Sequence, residues 1–388
     1  MIIEYGAKNC FSFKDWLQIS FEATRKVVPK EYKIADTNVL PYLCLEGSNA
    51  SGKTNALKVL YFIISFARNS FDNKPEEKIA YDTFFNNDDK ADFFLTFTLD
   101  DYLETDIKYY YEFSLKKGKV FSESLSEKKG SKKAKKIFTR NKSKVEDKYF
   151  NTNMGIKFRD NVSFFSTLFQ YEIDKSNPFK SYFNKITSNV NYFGSYKLSH
   201  ENISKIYYDN PNLLKITIEE LSRFDLGLVN IVIEKSEDPS LPEEKRYYPI
   251  FVHKTEEGTC KLNEYSQSAG TIKLYYILLY FLSLMMNGGL LIMDEIDREL
   301  HDEIVSDLLS KFNNGNNPKG AQLIFTSHNS RLLDDAKKYR SYFFEKENGE
   351  SFCYRGDEIP LKIRNERSLA ALYNNGDLGG RPNIVKEE

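Results

Sequence analysis

The chain has 388 residues and a formal net charge of −1, because 55 Lys and Arg residues nearly balance 56 Asp and Glu residues. This balance gives no sign of nucleic-acid or membrane binding by the protein as a whole. The four cysteines lie far apart in the sequence, which excludes a CxxC metal or redox motif. The first residues lack the charged start and apolar core of a secretory signal, so we expect a cytoplasmic protein with reduced thiols.

Alternating apolar and polar residues in the first third of the chain predict antiparallel strands. Residues 1–25 and 92–125 include FFLTFTL, IKYYYEFSL and KVFSESL, which have the two-residue period of half-buried strands. We expect these strands to form an antiparallel β-lobe beside the site that the next motif predicts.

GSNASGKT (residues 47–54) has the spacing of a phosphate-binding loop, GxxxxGK[ST]. The apolar run YLCL before it predicts a strand, and TNALKVLYFIISFARN after it predicts a helix. In such a loop backbone N–H groups surround phosphate oxygens, the lysine reaches the β- and γ-phosphates, and the final hydroxyl binds Mg²⁺. The alternative is a polar loop that matches by chance. We predict that ATP contacts these residues of the loop: Gly47, Ser48, Asn49, Ser51, Gly52, Lys53 and Thr54.

The segment SEKKGSKKAKKIFTRNKSK (residues 126–144) is strongly basic and lies between strand-like runs. One interpretation is a solvated hairpin. The other is a contact, from Lys128 to Lys144, for the phosphate backbone of DNA, RNA or tRNA. The sequence leaves both open.

Residues 160–225 show no strand pattern and contain helix-like runs such as LLKITIEELSRF, so we predict a mainly helical lobe. Heptads do not continue for more than a few turns, which argues against long coiled-coil arms.

The helix that begins at SQSAGT supplies a second predicted phosphate contact. Ser268 and Gly270 stand at its start, where a hydroxyl, free N–H groups and the positive end of the helix dipole would meet an anion. A plain helix N-cap is the alternative interpretation.

The apolar run that begins at Leu274, LYYILLYFLSLMMNGGLLIMDE, extends for about a membrane thickness. Asn287, Gly288 and Gly289 interrupt this run. A membrane span is one interpretation, and we favour the other, a buried helix, a turn and a buried strand of an α/β sheet.

Acidic residues follow that predicted strand directly. The strand LLIM ends at Asp294 and Glu295, where one carboxylate can serve Mg²⁺ and the next can polarise a water molecule that attacks the γ-phosphate. A further strand, QLIFTS, ends just before His328, which we interpret as a sensor of the γ-phosphate.

The order of these motifs resembles the ABC-type ATPase heads of the SMC, Rad50-like and OLD group. It resembles more closely the AAA-family ATPases of the AbiLi/RloA type, which occur in bacterial anti-phage and restriction-associated operons. QSAGT stands where the ABC signature LSGGQ is usual, and Asn86 and Asn87 stand where a Q-loop glutamine would follow the first helix. Besides the nucleotide motifs, these segments carry the resemblance: NCFSFKD (residues 9–15), FDLGLVNIVIEK (224–235), DEIDRELH (294–301) and SLAALYNNGDLGGRPNI (368–384).

The resemblance implies an α/β fold, an ABC-type P-loop NTPase head with an antiparallel β-lobe and a helical insertion lobe. We expect residues 1–159 and 245–388 to form the two parts of the head and residues 160–244 the mainly helical lobe. Such heads dimerise head to tail around two ATP molecules with Mg²⁺. Ser268 and Gly270 would then contact the γ-phosphate held by the other subunit, and Asp297 would lie at the dimer seam and contact ATP.

The resemblance also implies a role for each acidic residue. Glu295 would be the general base, Asp294 the Mg²⁺ partner together with Thr54, and His328 the sensor. His301 matches the histidine of the family's LH motif, for which a structural and a catalytic role remain equally open.

We expect this ATPase to control a separate effector, a nuclease or a toxin, in bacterial anti-phage defence. Too few residues follow GGRPNI for the nuclease domain that follows the head in OLD proteins. A transporter subunit is disfavoured, because it would need LSGGQ, a Q-loop and a membrane partner. An ATP-locked scaffold or sensor that holds an effector inactive and a nucleic-acid repair or processing ATPase remain as alternatives. In each case we expect a homodimer or a higher homo-oligomer that does not bind a membrane.

Overall fold

The computed structural model describes residues 1–23, 28–100, 102–152, 156–195, 202–225, 227–298, 300–313, 317–361, 363–365 and 367–380. Its strands are β1 (Ile2–Lys8), β2 (Leu17–Ser20), β3 (Tyr42–Gly47), β4 (Ala91–Phe97), β5 (Ile107–Lys116), β6 (Lys119–Lys129), β7 (Lys135–Asn141), β8 (Lys144–Asp147), β9 (Ile186–Ser188), β10 (Val190–Asn191), β11 (Gly194–Ser195), β12 (Leu228–Lys235), β13 (Tyr247–Thr255), β14 (Gly258–Asn263), β15 (Leu290–Met293), β16 (Gln322–Thr326), β17 (Ser341–Glu347) and β18 (Glu350–Arg355). Its helices are α1 (Lys53–Asn69), α2 (Tyr102–Thr105), α3 (Phe164–Gln170), α4 (Asn177–Asn184), α5 (Ile203–Asp209), α6 (Pro211–Ser222), α7 (Ala269–Asn287), α8 (Asp302–Ser310), α9 (Leu332–Arg340) and α10 (Leu369–Asn375).

The antiparallel lobe is a seven-stranded sheet in the order β2-β1-β4-β5-β6-β7-β8. Alternation puts one set of side chains on the face that packs against α1. Phe93 and Phe113 stack there at 4.8 Å between ring centroids, and Phe113 meets Phe66 of α1 at 4.7 Å. The opposite face carries polar side chains such as Glu112 and its cross-strand partner Ser124. The predicted β-lobe is therefore confirmed.

The central sheet has six strands in the order β18-β17-β3-β16-β15-β9, all parallel except β18. Its middle strands are buried on both faces, which explains why YLCL, LLIM and LIF read as continuous apolar runs. Because β3, β15 and β16 run in the same direction, the chain segments that follow them meet at one edge of the sheet. These segments are the phosphate-binding loop, the acidic pair and the histidine of the sequence prediction.

The segment predicted to be a helical lobe contains a strand of the central sheet. β9 pairs with β15 in parallel, with Ile186 opposite Leu290, so the segment predicted to be mainly helical also contributes a strand to the central sheet. Three residues are too short a run to produce a recognisable periodicity. α3 and α4 pack in the same core as α1, whereas α5 and α6 pack in a second core with α7. The proposed domain boundaries stay a prediction.

Helix α7 is the one helix among the described residues that is long and apolar enough to cross a membrane. Just over half of its apolar window, 56%, is buried inside the fold, where it packs on β15 and α6. Gly288 ends the helix, and β15 follows. This arrangement agrees with the buried helix, turn and buried strand that the sequence favoured over a membrane span.

The basic segment (residues 126–144) spans the end of β6, the hairpin turn and β7, and it ends at Lys144, the first residue of the edge strand β8. Lys132 and Lys133 are exposed near the tip of the hairpin, and Lys135 and Lys136 approach Glu127 and Glu112 at 3.7 and 3.9 Å. Such exposed pairs contribute little to stability. The hairpin geometry agrees with the solvated interpretation, and contact with nucleic acid stays a prediction.

A buried ion pair joins this hairpin to the helical segment. Arg140 and Glu123 have fully buried side chains 3.2 Å apart. Glu123 also accepts hydrogen bonds from the Tyr111 hydroxyl and from the N–H of Phe164 at the start of α3, while Arg140 donates to the carbonyl of Val162. Burial raises the pKa of Glu123, and Arg140 opposes that shift. The pair therefore stabilises the junction between β-lobe and α3.

Candidate functional site

The loop after β3 has a backbone that only glycine accommodates at two positions. Gly47 and Gly52 have φ values of +154° and +114°. A Cβ on Gly47 would lie 2.6 Å from the Phe344 carbonyl oxygen, and one on Gly52 would lie 2.6 Å from the Ser351 hydroxyl. The two glycines therefore let the loop curl against β17 and β18 before α1 begins. A loop of this shape agrees with the phosphate cradle that GSNASGKT predicts.

The lysine of the motif lies inside this cradle. Lys53 Nζ donates hydrogen bonds to the carbonyls of Gly47 at 2.6 Å and Ser48 at 3.1 Å. Burial lowers the pKa of Lys53, and surrounding carboxylates, first Glu46, oppose that shift. The Ser51 hydroxyl is buried in the loop without a hydrogen-bond partner among the described residues. Both groups are positioned to meet an anion. Asn49 is exposed on the outer side of the loop.

The first residue pair of the predicted Mg²⁺ site is in direct contact. The Thr54 hydroxyl lies 3.0 and 3.2 Å from the two carboxylate oxygens of Asp294. The Thr326 hydroxyl donates to the same carboxylate at 2.6 Å. Asp294 is held in place by Asn189, whose amide exchanges two hydrogen bonds with the backbone of Asp294 at 2.7 and 2.9 Å.

These residues fit Mg²⁺, which prefers oxygen ligands and is bound by one or two protein groups together with phosphate oxygens and water. Thr54 and Asp294 supply a hydroxyl and a carboxylate beside the phosphate cradle. Among the described residues no cluster of three or more His, Cys, Asp or Glu side chains could form an all-protein metal site. A metal that depends on nucleotide phosphates for its other ligands agrees with this donor set. When bound there, Mg²⁺ neutralises phosphate charge.

Glu295 has an unusual backbone conformation. Its φ is +53°, in the left-handed region that costs a non-glycine residue about 1–2 kcal/mol. The N–H of Glu295 donates to the Thr326 hydroxyl at 2.8 Å, which holds this conformation. The carboxylate lies 3.4 Å from His328 Nε2 and 3.4 Å from the Arg298 guanidinium. Glu295 and His328 are one-third and one-half exposed, so both can reach a ligand at the mouth of the cradle.

Asp297 contacts the segment that carries His328. Its carboxylate accepts hydrogen bonds from the Ser327 hydroxyl at 2.9 Å and from the N–H of His328 at 3.0 Å. The second oxygen is buried without a partner among the described residues. Asp297 therefore orients the segment that carries His328. Its predicted contact across a dimer seam stays a prediction.

The start of α7 is organised as a helix cap. The Ser268 hydroxyl accepts the N–H of Thr271 at 3.0 Å, and the Thr271 hydroxyl donates to Asp225 at 2.9 Å. Ser268 is exposed beside Gly270, so the N-cap interpretation and a phosphate contact are compatible. Asp225 belongs to the FDLGL segment, for which the sequence suggested no role. No hydrogen bond among the described residues joins Ser268 or Gly270 to the phosphate-binding loop.

The NCFSFKD segment and the Asn86 region lie beside the loop. Asn55 donates to the Ser12 hydroxyl at 2.9 Å, and Asn87 exchanges hydrogen bonds with Asn9 at 2.8 and 2.9 Å. Ser12, Asn55, Lys58 and Asn86 line a cavity of about 380 Å³ next to α1. The residues expected at the Q-loop position are thus near the nucleotide motif, although Asn87 is engaged with Asn9. A larger cavity of about 700 Å³ lies on the β-lobe; its lining includes Lys136 of the basic segment and none of the residues predicted to bind ATP or Mg²⁺.

The C-terminal motif packs against the base of the loop. Gly380 donates its N–H to Glu345 at 2.8 Å, and its carbonyl accepts the Tyr373 hydroxyl at 3.1 Å. A Cβ on Gly380 would lie 3.6 Å from the Cα of Gly47. The last part of the motif, residues 381–384, is outside the described residues.

The structure thus brings together five predicted residues at one edge of the central sheet: Lys53, Thr54, Asp294, Glu295 and His328. Among the described residues, no hydrogen bond links Ser268 or Gly270 to this group. Sequence reasoning missed Asn189 and Asp225, since neither belongs to a nucleotide motif. Thr326 was part of the predicted strand QLIFTS, but its contact with Asp294 had no signal in the sequence.

Solved structures with a similar fold include SMC heads. The SMC head bound to the C-winged helix domain of ScpA superposes with a TM-score of 0.51 at 14% sequence identity, covering 91% of this chain and 97% of that chain. The Thermotoga maritima SMC head domain gives 0.44 at 13% identity, with 91% and 98% coverage. The Pyrococcus furiosus SMC head with an extended coiled coil, bound to the C-terminal domain of ScpA, gives 0.43 at 13% identity, with 91% and 96% coverage. The first likeness confirms the predicted ABC-type head fold.

No functionally curated protein matches this sequence. The family described as "AAA domain, putative AbiEii toxin, Type IV TA system" matches residues 43–334, which is more than half of the chain and includes the phosphate-binding loop, Asp294 and His328. The resemblance to AAA ATPases of the SMC- and OLD-like group is thereby confirmed. The chain belongs to this AAA-domain family.

Proposed function

We propose that this chain is an ATPase that binds and hydrolyses ATP with Mg²⁺. The observation that carries the proposal is the convergence of Lys53, Thr54, Asp294 and Glu295 at the carboxyl edge of parallel strands. Lys53 and the loop N–H groups would bind the phosphates, and Thr54 with Asp294 would hold Mg²⁺. Glu295 would accept a proton from the attacking water while His328 contacts the γ-phosphate.

The proposed active form is a head-to-tail dimer. In one chain Ser268 and Gly270 make no hydrogen bond to the phosphate-binding loop among the described residues, so the predicted site is incomplete there. A second copy would supply the exposed start of α7, whose N–H groups and dipole favour the γ-phosphate. Asp297 lies beside His328 and would come close to the seam.

The proposed output is control of a separate effector, a nuclease or a toxin, in bacterial anti-phage defence in the cytoplasm. The family description refers to a toxin–antitoxin system, and a structurally similar SMC head binds a domain of another protein, ScpA. We expect the effector to dock on residues 160–225, because α3 and α4 contact α1, which begins at the loop. A ligand shifts such an equilibrium only by the difference between its affinities for the two states. The effector's affinity should therefore differ between the ATP-bound and ADP-bound forms of this protein.

A second candidate role is contact with nucleic acid. The observation that favours it is the run of largely exposed lysines between Lys128 and Lys144, of which Lys132 and Lys133 lie near the tip of the β6–β7 hairpin. Acidic residues of the neighbouring strands β6 and β5 weaken the case, because Lys135 and Lys136 of β7 approach Glu127 and Glu112. A nucleic-acid processing ATPase is the corresponding alternative.

An ATP-locked scaffold uses the same site residues. Its turnover would be slow until a partner is present, so steady-state hydrolysis with and without the partner separates it from a fast ATPase.

The first experiment measures phosphate release from Mg·ATP by the purified chain. We expect turnover in the wild type and loss of nucleotide binding in Lys53→Ala. Lys119→Ala is the matched control, because Lys119 is an exposed lysine that pairs with Asp160 on the β-lobe. Equal turnover in Lys53→Ala and the wild type, or no nucleotide binding by the wild type, would refute the proposed function.

A further inference from the structure

A cavity of about 440 Å³ lies at the edge of the central sheet opposite to the phosphate-binding loop. Lys185, Gly289 and Gly320 line it, and they stand just before the parallel strands β9, β15 and β16. The phosphate-binding loop follows β3, at the other end of these strands. Small-molecule sites typically have volumes of about 300–1,000 Å³, whereas one water molecule needs only about 30 Å³. The cavity is therefore large enough for a small organic molecule.

One buried polar group of the lining has no hydrogen-bond partner among the described residues. This group is the hydroxyl of Tyr182, a side chain that is 2% exposed. The Tyr182 ring stacks on Phe97 with 5.9 Å between the ring centroids, so packing fixes its orientation. Burial raises the pKa of Tyr182, and the hydroxyl therefore stays protonated and can donate. Because an unpaired buried donor is costly, this hydroxyl points to an acceptor that the described residues do not supply.

The charged groups of the lining are already compensated by their surroundings. Lys185 donates to the Asp100 carboxylate at 2.6 Å, and the amino group of Met1 donates to the Thr98 carbonyl at 2.8 Å. Lys185 also follows the end of α4, and Lys319 lies beside the end of α7. The carbonyl end of a helix carries partial negative charge that favours a nearby cation. A charged ligand would have to compete with these interactions, so the lining favours an uncharged one.

Much of the remaining lining is apolar. It includes Ile34 from the segment before β3, Leu99 and Leu103 from the connection between β4 and β5, and Met286 from the end of α7. Ile34 and Leu99 are buried, whereas Leu103 and Met286 are more than half exposed. An apolar group that covers Leu103 and Met286 would remove apolar surface from water, which favours binding.

We propose that this cavity binds a small uncharged organic molecule that has an apolar body and a carbonyl or hydroxyl oxygen. The apolar body contacts Leu103 and Met286, and the oxygen accepts a hydrogen bond from the Tyr182 hydroxyl. Binding makes and breaks no covalent bond. The proposal does not depend on the proposed ATPase, because none of the lining residues is predicted to bind ATP or Mg²⁺.

The test uses three probes of nearly the same shape. Benzamide joins an apolar ring to an uncharged acceptor, while benzoate carries a negative charge and benzamidine a positive charge. The measurement is NMR of the full chain with isotope-labelled methionine methyl groups. Met1 and Met286 line the cavity, and Met293 at the other end of β15 is an internal control.

A probe of this size binds a suitable site with a Kd of roughly 1–10 mM. We expect benzamide to shift the methyl signals of Met1 and Met286 saturably in this range and to leave Met293 unchanged. Both charged probes should bind at least about fivefold more weakly, because they bring a charge without a free partner into the cavity.

Tyr182→Phe removes only the hydroxyl, and Tyr111→Phe is its matched control. The Tyr111 hydroxyl is also buried, but it donates to Glu123 at 2.7 Å. We expect Tyr182→Phe to weaken benzamide binding about threefold to tenfold, as for the loss of one neutral hydrogen bond, and to keep the wild-type Tm. Tyr111→Phe should lower the Tm and keep the wild-type affinity for benzamide.

No saturable shift of Met1 and Met286 with benzamide overturns the proposal. Binding of benzoate or benzamidine as tight as that of benzamide overturns the assignment of an uncharged ligand. Unchanged affinity in Tyr182→Phe, or a Tm lowered as in Tyr111→Phe, contradicts the role of the Tyr182 hydroxyl. If Tyr182→Phe does not fold, the wild-type titrations with the three probes decide.

Discussion

Replacing Glu295 with glutamine separates the proposed chemistry from nucleotide binding. Glutamine has nearly the same size and keeps the backbone N–H that donates to Thr326 at 2.8 Å, so the left-handed conformation at this position is retained. Its amide oxygen can still meet His328, but it cannot accept a proton from water. The expected defect is therefore in hydrolysis alone.

The size of the defect follows from the role of a general base. Proton acceptance by a positioned side chain contributes about 10²–10⁴-fold to the rate. Since each tenfold loss corresponds to about 1.4 kcal/mol, the barrier for Glu295→Gln rises by about 3–5 kcal/mol. ATP affinity should stay near the wild-type value, and the variant should accumulate as an ATP-bound dimer.

Steady-state phosphate release at saturating Mg·ATP, together with size-exclusion chromatography coupled to light scattering, measures both effects. Glu303→Gln is the matched control, because Glu303 is an exposed acid nearby that contacts Arg331 at 3.2 Å. Its turnover should equal that of the wild type. Wild-type turnover in Glu295→Gln would show that Glu295 is not the general base and that another group activates water.

Four other predictions concern the seam, the hairpin, the buried ion pair and the output. Ser268→Arg and Lys53→Ala should each be inactive as pure dimers. An equal mixture should recover about one quarter of wild-type hydrolysis, because half of the dimers are mixed and each mixed dimer has one intact site out of two. If mixed dimers form but no hydrolysis is recovered, the head-to-tail arrangement is contradicted. Replacement of the hairpin lysines by neutral residues should weaken nucleic-acid binding and reduce the salt slope by roughly 0.9 per lost phosphate contact, which a gel-shift titration at two salt concentrations measures. The replaced residues are Lys132, Lys133, Lys135 and Lys136. If the intact chain does not bind nucleic acid at low salt, these lysines are only surface residues. Arg140→Met should lower the free energy of unfolding by about 3–5 kcal/mol in urea denaturation, because it leaves the fully buried Glu123 carboxylate without its partner, and a loss below about 1 kcal/mol would disprove that account. The purified chain should cleave neither plasmid, linear DNA nor tRNA with Mg²⁺ or Mn²⁺, and a nuclease activity that disappears when one of its own acidic residues is mutated would argue against a separate effector.

Functional residues that lie in short, contiguous motifs could be predicted from the sequence. GSNASGKT contains its own glycines, lysine and hydroxyl, and the apolar runs beside it indicate the strand and the helix. LLIM followed by Asp294, and QLIFTS followed by His328, could be placed at the same sheet edge because buried parallel strands end there. The alternation in β4, β5 and β6 likewise predicted the antiparallel lobe.

Contacts between residues that are distant in the sequence could not be predicted in this way. Asn189 holds the backbone of Asp294 across 105 positions, and Asp225 holds Thr271 across 46 positions. β9, which leads to Asn189, is too short to show a period. Nothing in the local sequence indicates the left-handed backbone of Glu295, because that conformation depends on the Thr326 hydroxyl of a neighbouring strand.

The sequence by itself therefore determined the nucleotide loop, the acidic strand end and the family-like order of motifs, because local spacing and periodicity encode them. Only the tertiary structure decided which polar groups orient these motifs: Asn189 and Thr326 at Asp294, and Thr326 at Glu295. The reason is physical: Asn189 and Asp294 lie far apart in the sequence, and they meet only because the strands that precede them, β9 and β15, pair in the central sheet.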